Sequence, residues 1–560
     1  MSNSKIKKHF NKKHYDAEGG ASPINRYEVA ALLAIIAIGL GISFWMYSGP
    51  NPFYDDTSYI SLARSAALGF GGFITSKFAY GFLKILLLAL SFIIFGYGQL
   101  QAILPSLVEY IALILLTFLI SRRLLTRQFA LLATLIGAMM PFVVAYVTRV
   151  LPDIGLGMMV ALSIYALMSA IDNPLKRSYL FLSGFLLAAT VYMNEQAFAF
   201  IGITAILLLL LHLYERETRT GNERRNVSKT RADNTTNAAL GLRFYTYIAL
   251  GVAAGLIVYC LVFDLAIGLP FFAFEHYASP PTIDLASELR TAFSPTAFGV
   301  TSSHTNQDSY PPGPFFLLSL PGALLGILSR KRKLACLGGV YLAMLAYFFF
   351  GPSSLSFLTG GGRYNTVPFV TRMLGMLALP IAFFCAYLFQ SAYSIIERRT
   401  NAIIGILAVI ILVGASFAAI SPEYLWLKSV ADGTMQQNSM LSQTYAYLVN
   451  SSGHQIISAY IEAIPGFDVV LAQYLPFIAS FNSNFSTYLV GPSAFPSESS
   501  ICPVNVSNSY LVAFIWPEQS TAENEKVNSW LAPNCTAENL TAIALPSQYV
   551  SIHIAKIIPR

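Results

Sequence analysis

Residues 27–47 of the chain read YEVAALLAIIAIGLGISFWMY, and this apolar stretch decides the class of fold. About 20 apolar residues are enough to cross the hydrocarbon core of a bilayer as one helix. Five lysines precede the stretch, at positions 5, 7, 8, 12 and 13, and basic residues favour the cytoplasmic side. We therefore expect residues 1–26 to lie in the cytoplasm and the adjacent acids Asp55 and Asp56 to lie on the outer face.

The composition of the whole chain is that of a protein with many membrane crossings. Of its 560 residues, 55% are hydrophobic and 11% are charged, whereas a soluble domain has roughly 25% charged residues. The net charge of +7 does not indicate nucleic-acid binding, because the basic residues lie in short loops between apolar segments and orient the chain in the bilayer. The sequence predicts a polytopic α-helical protein of the cell membrane.

The basic loops give the orientation of each crossing. Those assigned to the cytoplasm are 122–127, 176–177, 216–231, 330–333 and 398–399. Eleven crossings agree with them: 27–47, 99–120, 129–147, 154–171, 179–193, 196–214, 244–263, 313–329, 334–350, 373–391 and 402–420. A crossing at 78–95 would move Arg122 and Arg123 outside, so we interpret that apolar segment as a juxtamembrane or re-entrant helix on the outer face. A true crossing there is the alternative.

This topology divides the chain into three parts. They are the cytoplasmic N-terminus 1–26, the transmembrane domain 27–420 and an outer C-terminal domain 421–560. In the last part, the apolar runs 487–490, 510–516 and 549–554 predict strands, and 522–531 predicts a helix. We therefore expect a small extracytoplasmic α/β domain. Cys502 and Cys535 both fall in it, where a disulfide is permitted.

The topology also gathers ionisable residues at the outer membrane edge, where charges are costly and usually functional. They are Asp55, Asp56, Arg149, Asp153, Glu195, Arg363 and Arg372. Arg149 and Asp153 are four positions apart, which places them on one helix face if the turn is helical. They could form a local salt bridge or take part in chemistry. Glu195 could equally cap a short helical hairpin.

Two groups of these residues resemble motifs of a known family. Asp55-Asp56-x-x-Tyr59-x-x-x-Ala63 resembles the Asp-Glu-x-x-Tyr-x-x-x-Ala signature of the protein O-mannosyltransferase and aminoarabinose transferase-like family, the type C membrane glycosyltransferases. Arg149-x-x-Pro152-Asp153 follows a juxtamembrane segment and a basic loop, and is similar to the family's outer arginine and aspartate.

A weaker similarity and three departures complete the comparison with the family's motifs. Val370-Thr-Arg372 is similar to a Pro-Arg-Tyr motif before a late crossing. Asp56 stands where the family commonly has Glu, and Asn194-Glu195 stands where many relatives have Lys. The Pro-Pro before the juxtamembrane helix is missing from Lys77-Phe78-Ala79-Tyr80. The last two departures concern recognition of the donor phosphate.

The resemblance implies a glycosyltransferase that uses a polyprenyl-phosphate sugar, with its lipid chain in the bilayer and its sugar outside. Transfer needs a base for the proton of the acceptor hydroxyl, and a carboxylate can serve. An arginine can stabilise the charge on the leaving phosphate. We expect Asp55 to be the base of an inverting displacement, with Asp56 and Asp153 as further catalytic acids. The residues expected to contact substrate are Tyr59, Arg149, Glu195, Arg363 and Arg372.

The expected acceptor is a protein, a lipid or a glycan on the outer face, and no cofactor is expected. Glu275, His276, His304 and Asp308 could form a metal site, but they lack the regular spacing of metal ligands. A divalent metal stays an open alternative. The alternative function is a transporter or flippase, which would have paired interrupted helices and an internal repeat; the sequence has neither. An oligosaccharyltransferase is disfavoured because its Trp-Trp-Asp signature is absent, since no two of the four tryptophans are adjacent.

Overall fold

The structure is a computed structural model that describes most of the membrane domain and the strands of the C-terminal part. The described residues are 23–47, 55–68, 81–173, 175–194, 197–223, 231–267, 313–329, 331–350, 375–451, 455–460, 486–490, 509–515, 535–544 and 551–559. The helices in chain order are α1 (Arg26–Trp45), α2 (Asp55–Ala67), α3 (Phe82–Phe95), α4 (Gln99–Leu124), α5 (Arg127–Ala138), α6 (Pro141–Val147), α7 (Asp153–Asp172), α8 (Arg177–Ala189), α9 (Ala197–Glu223), α10 (Arg231–Ile267), α11 (Gly313–Leu328), α12 (Arg332–Phe350), α13 (Ala378–Arg399) and α14 (Ala402–Ser451).

Many of these helices suit a membrane. Among the described residues, six contain a stretch long and apolar enough to cross: α1, α4, α7, α10, α13 and α14. Helices α5 and α6 are bent by 58° at their junction and together form a seventh candidate span. Each segment that the sequence predicts to cross coincides with a helix or with this bent pair. The mostly helical membrane fold is confirmed, and the number of eleven crossings stays a prediction.

Ion pairs hold one end of the bundle together. Asn25 and Glu28 form a capping box at the start of α1. Arg122, near the end of α4, donates to both carboxylate oxygens of Glu28 at 2.9 and 3.2 Å. Asp172, at the end of α7, pairs with Lys333 at the start of α12. We call this end, where α1 and α12 begin and α4 and α7 finish, the basic end.

Helix α3 is too short to cross a bilayer. Its 14 residues span about 21 Å at 1.5 Å per residue, whereas the hydrocarbon core is about 30 Å thick. Helix α1 leaves the basic end and α4 returns to it, so α2 and α3 belong to the connection at the opposite end. This arrangement agrees with a juxtamembrane or re-entrant helix at 78–95, and it places Arg122 on the side of the N-terminus.

Glycines let several helices approach at backbone contact. A Cβ atom on Gly184 of α8 would lie 2.0 Å from the carbonyl oxygen of Ile248 in α10. In the opposite direction, a Cβ atom on Gly251 of α10 would lie 2.0 Å from the carbonyl oxygen of Phe181. Small residues at such positions are how membrane helices maximise their packing. The α8–α10 pair is therefore close enough to leave no room for larger side chains at these crossings.

The C-terminal part contains a five-stranded mixed sheet. Its strands are β1 (Gln455–Tyr460), β2 (Ser486–Val490), β3 (Ser509–Ile515), β4 (Cys535–Ala544) and β5 (Ser551–Pro559), in the order β2-β1-β3-β5-β4. Strand β1 is parallel to β2 and β3, whereas β5 is antiparallel to β3 and β4. The three predicted strands correspond to β2, β3 and β5, and the sequence analysis missed β1 and β4.

Other expectations for this part are tested less fully. Helix α14 continues to Ser451 without a break, so it runs through the boundary predicted at 421, and the division into domains stays a prediction. The predicted helix at 522–531 lies outside the described residues, as does Cys502. Cys535 begins β4, and the structure does not describe its side chain.

The two ends of the bundle give a labelling prediction. Leu68, after α2, and Gln128, at the start of α5, are both exposed. A membrane-impermeant maleimide added outside should label Leu68→Cys and should leave Gln128→Cys unlabelled until the membrane is permeabilised. Incorporation is measured relative to the unsubstituted chain, which has five cysteines. Labelling of Gln128→Cys in intact cells would contradict the orientation.

Candidate active site

The acidic motif forms one buried face of α2. Asp56, Tyr59, Ile60 and Ala63 are all buried, and their spacing of three and four positions is that of one side of a helix. The sequence spacing Asp-x-x-Tyr-x-x-x-Ala therefore has a simple structural reason, since it turns the acid, the tyrosine and the small residue toward the same neighbours. Asp55 is the first residue of α2, and the structure describes its backbone but not its side chain.

Asp56 and Arg149 form a buried ion pair. The Nε atom of Arg149 donates to Oδ2 of Asp56 at 2.7 Å, and its Nη2 atom lies 2.6 Å from the same oxygen. The other oxygen, Oδ1, accepts the backbone N–H of Val150. The Asp56 side chain is fully buried and that of Arg149 is 13% exposed. One carboxylate thus orients the guanidinium and holds the backbone that follows it.

The placement of Arg149 and Asp153 on one helix face required a helical turn, and the structure has none there. Helix α6 ends at Val147 and α7 begins at Asp153, so residues 148–152 form a non-helical connection. The i, i+4 geometry therefore does not apply, and the ion pair described for Arg149 is with Asp56. Asp153 is buried in the first turn of α7, where the helix dipole favours an acid.

Tyr59 lies beside a junction of three segments. Gly81 immediately precedes α3, and a Cβ atom there would lie 2.5 Å from the carbonyl oxygen of Met193 and 3.6 Å from the hydroxyl of Tyr59. Met193 follows the short 3₁₀ turn Thr190–Tyr192. The start of α3 is therefore packed between α2 and the segment that leads to Glu195. Glu195 itself lies outside the described residues.

A second close contact joins Asp153 to the start of α13. A Cβ atom on Gly375 would lie 3.1 Å from the carbonyl oxygen of Asp153, and one on Gly157 would lie 2.5 Å from the carbonyl oxygen of Gly375. The chain at Gly375, three positions after Arg372, is thus packed against the first turns of α7. Arg372 and Arg363 lie outside the described residues.

Two buried charges at the site were missed in the sequence analysis. Lys84 of α3 is fully buried, and its Nζ atom is 2.7 Å from Oε2 of Glu109 in α4 and 2.8 Å from Oγ of Ser106. Ser106 in turn donates to the carbonyl oxygen of Arg149 at 2.7 Å. The sequence does contain a signal for them, because a lysine and a glutamate inside apolar segments are expected to pair with each other or with other polar groups.

The described residues contain no group of three or more His, Cys, Asp and Glu side chains that could hold a metal ion. Three cysteines, Cys260, Cys336 and Cys385, are free thiols within the membrane helices. The arrangement offers acids and an arginine at the end of the bundle opposite the basic end.

The family comparison agrees with this arrangement. Residues 81–221 match the family described as dolichyl-phosphate-mannose-protein mannosyltransferase. Among solved structures, ArnT from Cupriavidus metallidurans in the apo state has a TM-score of 0.52 at 10% identity, covering 94% of this chain and 98% of that one. The same protein bound to undecaprenyl phosphate has a TM-score of 0.53 at 11% identity, covering 93% and 97%.

The match over residues 81–221 and the fold shared with ArnT agree with the resemblance to the type C membrane glycosyltransferases that the sequence motifs indicate. An oligosaccharyltransferase from Archaeoglobus fulgidus also matches, with a TM-score of 0.48 at 13% identity over 96% of this chain and 75% of that one. A comparison with curated protein sequences gives no significant match.

The family match and the acidic motif lie in different parts of the chain. The family match begins at Gly81 and includes Lys84, Arg149 and Asp153, whereas Asp55 and Asp56 precede it. The ion pair between Asp56 and Arg149 is what connects the acidic motif to the family region in space.

Loss of the Asp56 carboxylate should destabilise the protein. Asp56→Asn leaves a mostly buried guanidinium without its counter-charge, and breaking such a pair typically costs about 3–5 kcal/mol. The matched control is Asp432→Asn in the partly exposed Lys428–Asp432 pair, where we expect about 0–1 kcal/mol. Thermal unfolding in detergent gives the comparison. Equal midpoints for the two variants would contradict the importance of the buried pair.

Proposed function

We propose that the protein is a membrane glycosyltransferase that moves a single sugar from a polyprenyl-phosphate donor to a protein, lipid or glycan acceptor on the outer face, with inversion. The family match over residues 81–221 favours this function over a transporter or flippase. The observation that carries the proposal is the buried Asp56–Arg149 pair beside Asp55, at the end of the bundle opposite the basic end. The structure of ArnT with undecaprenyl phosphate supports the donor class, because a protein of the same fold binds a lipid of this kind.

We assign the lipid phosphate to Arg149. A guanidinium has five N–H donors in a rigid plane, and Asp56 fixes that plane through Nε and Nη2. An orientation set before the substrate arrives spares reorganisation during the reaction. As the sugar leaves the phosphate, the phosphate oxygens gain negative charge, and the oriented arginine stabilises it. The support for this role is the geometry of the pair and the position of Arg149 between α6 and α7.

We assign the general base to Asp55. The hydroxyl oxygen of the acceptor forms a bond to the anomeric carbon while the bond from that carbon to the phosphate oxygen breaks. The hydroxyl proton passes to Asp55, and the bonding electron pair leaves with the lipid phosphate. Asp56 is a poorer base because both of its oxygens already accept hydrogen bonds, so its role is to position Arg149. The two adjacent acids thereby have separate roles, Asp55 as the base and Asp56 as the partner of Arg149.

The other predicted residues keep roles as substrate contacts. We assign Asp153, which is buried in the first turn of α7, to orienting the sugar or the acceptor, and Tyr59 of α2 to supporting the same region. The segments that lead to Glu195 and away from Arg372 are packed at this end of the bundle through Met193 and Gly375. These two contacts support including Glu195 and Arg372, and Arg363 is included on its sequence position alone.

Removal of the base should abolish transfer. We expect Asp55→Asn to lower turnover roughly 10²–10⁴-fold while the melting temperature stays near that of the parent, because Asp56 and Arg149 remain paired. The measurement is transfer from defined polyprenyl-phosphate sugars by purified protein in lipid nanodiscs. Asp172→Asn at the basic end is the matched control and should retain activity. Near-normal turnover of Asp55→Asn would reject the assignment.

Replacement of the planar cation should weaken donor use. Arg149→Lys keeps the charge and loses the fork that matches both a carboxylate and a phosphate, so we expect a higher KM for the donor and a lower kcat. Arg123→Lys, a partly buried arginine at the basic end, is the control. Unchanged kinetics in Arg149→Lys, with both proteins folded, would remove Arg149 from the donor site.

A further inference from the structure

The buried Lys84–Glu109 pair is linked by hydrogen bonds to the residue that we assign to the donor phosphate. Lys84 donates to Glu109 and to Ser106, and Ser106 donates to the carbonyl oxygen of Arg149. The three side chains come from α3 and α4, and none of them is more than 3% exposed. We call Lys84, Ser106 and Glu109 the buried triad.

The triad also contacts the first turn of α7. A Cβ atom on Gly155 would lie 2.9 Å from Cδ of Glu109 and 3.0 Å from each of its carboxylate oxygens. The Glu109 carboxylate is thus packed against the backbone two positions after Asp153. Within the described residues, its Oε1 atom has no hydrogen-bond partner. Glycine at 155 is what lets the carboxylate approach so closely.

The segment from Arg149 to Gly155 is therefore held at three points. Ser106 binds the carbonyl of Arg149, Asp56 accepts the N–H of Val150, and Glu109 lies against Gly155. Residues 148–152 are not helical, so the regular hydrogen bonds of a helix do not fix their backbone. The side chains of the triad and Asp56 supply the constraint instead.

Stability alone is a weak reason for such a pair. Two charges removed from water each carry a large desolvation penalty, and apolar residues of similar volume are often at least as stable. Lys84 is also poorly suited to bind the phosphate directly, because its side chain has no exposed surface and its ammonium already donates to Glu109 and Ser106. The pair holds the Lys84 ammonium in place as a hydrogen-bond donor to Oγ of Ser106. The hydroxyl proton of Ser106 is then directed at the carbonyl oxygen of Arg149.

We propose that Lys84, Ser106 and Glu109 are positioning residues of the transfer reaction. They fix the backbone of 149–155, and through it the placement of the Arg149 guanidinium and of Asp153. This inference rests on the proposed function only for its effect on catalysis. The structural part, that the triad constrains 149–155, stands on the contacts themselves.

The sharpest variant is Ser106→Ala, which removes the link to Arg149 and leaves the Lys84–Glu109 pair in place. A displaced arginine loses mainly the stabilisation of charge that develops in the transition state, so we expect kcat to fall about tenfold or more with a smaller change in donor KM. Ser121→Ala is the matched control, because Ser121 is another fully buried serine of α4, near the basic end. It should leave both constants unchanged.

A second variant separates positioning from simple stability. Lys84→Met combined with Glu109→Gln replaces both charges by neutral side chains of similar length, so the fold should keep its melting temperature. Ser106 then loses the ammonium that orients it, and we expect kcat to fall as in Ser106→Ala. A double variant that folds and turns over like the parent would show that the triad does not position Arg149.

Hydrogen exchange of peptides covering 148–156 gives a readout that needs no substrate. We expect faster exchange there in Ser106→Ala than in Ser121→Ala, with the rest of α7 unchanged. If the parent protein transfers no sugar from any polyprenyl phosphate while exchange still rises in Ser106→Ala, the proposed function is contradicted, and the constraint of 149–155 by the triad is supported. If the parent is active and Ser106→Ala changes neither kcat nor exchange, the positioning role of the triad is rejected, and the proposed function is still supported.

Discussion

The site depends on one ion pair that joins distant parts of the chain. Asp56 and Arg149 are 93 positions apart, and each belongs to a short motif that carries little information alone. Burial makes the two charges mutually dependent, since either one without the other would be an uncompensated charge away from water. Through Val150 the same carboxylate also sets the path of the backbone before α7. The acidic motif and the arginine are therefore one structural unit.

The two ends of the bundle use charge in different ways. At the basic end, arginines and a lysine pair with Glu28 and Asp172 near the ends of long helices, which ties those ends together. At the opposite end the ion pairs of the described residues are more deeply buried, and they converge on the non-helical connection before α7. The short α3 makes this possible, because it stays at that end and brings Lys84 to Ser106 and Glu109.

The sequence was sufficient for the helices and for the grouping of Asp56, Arg149 and Asp153 at one end of the bundle, because hydropathy and basic loops are local signals. It did not reveal that Arg149 pairs with Asp56, because the two residues are far apart in the chain. Spacing placed Asp153 on the same helix face as Arg149, but that placement required a helical turn that the chain does not form. Lys84 and Glu109 were hidden inside segments classified by their average hydropathy. Strands β1 and β4 were missed because QIISAY is short and CTAENLTAIA carries polar residues throughout.

The position of the two acids at the start of α2 explains why a pair is needed. Consecutive residues of an α-helix are about 100° apart around its axis, so Asp55 and Asp56 cannot occupy the same face. Position 56 belongs to the buried face with Tyr59 and Ala63, and its carboxylate is committed to Arg149 and Val150. A base must exchange a proton with the acceptor, which a carboxylate committed in this way does poorly. Under the proposed function, a helix that begins with two acids both orients the cation for the leaving phosphate and supplies a separate base one position earlier.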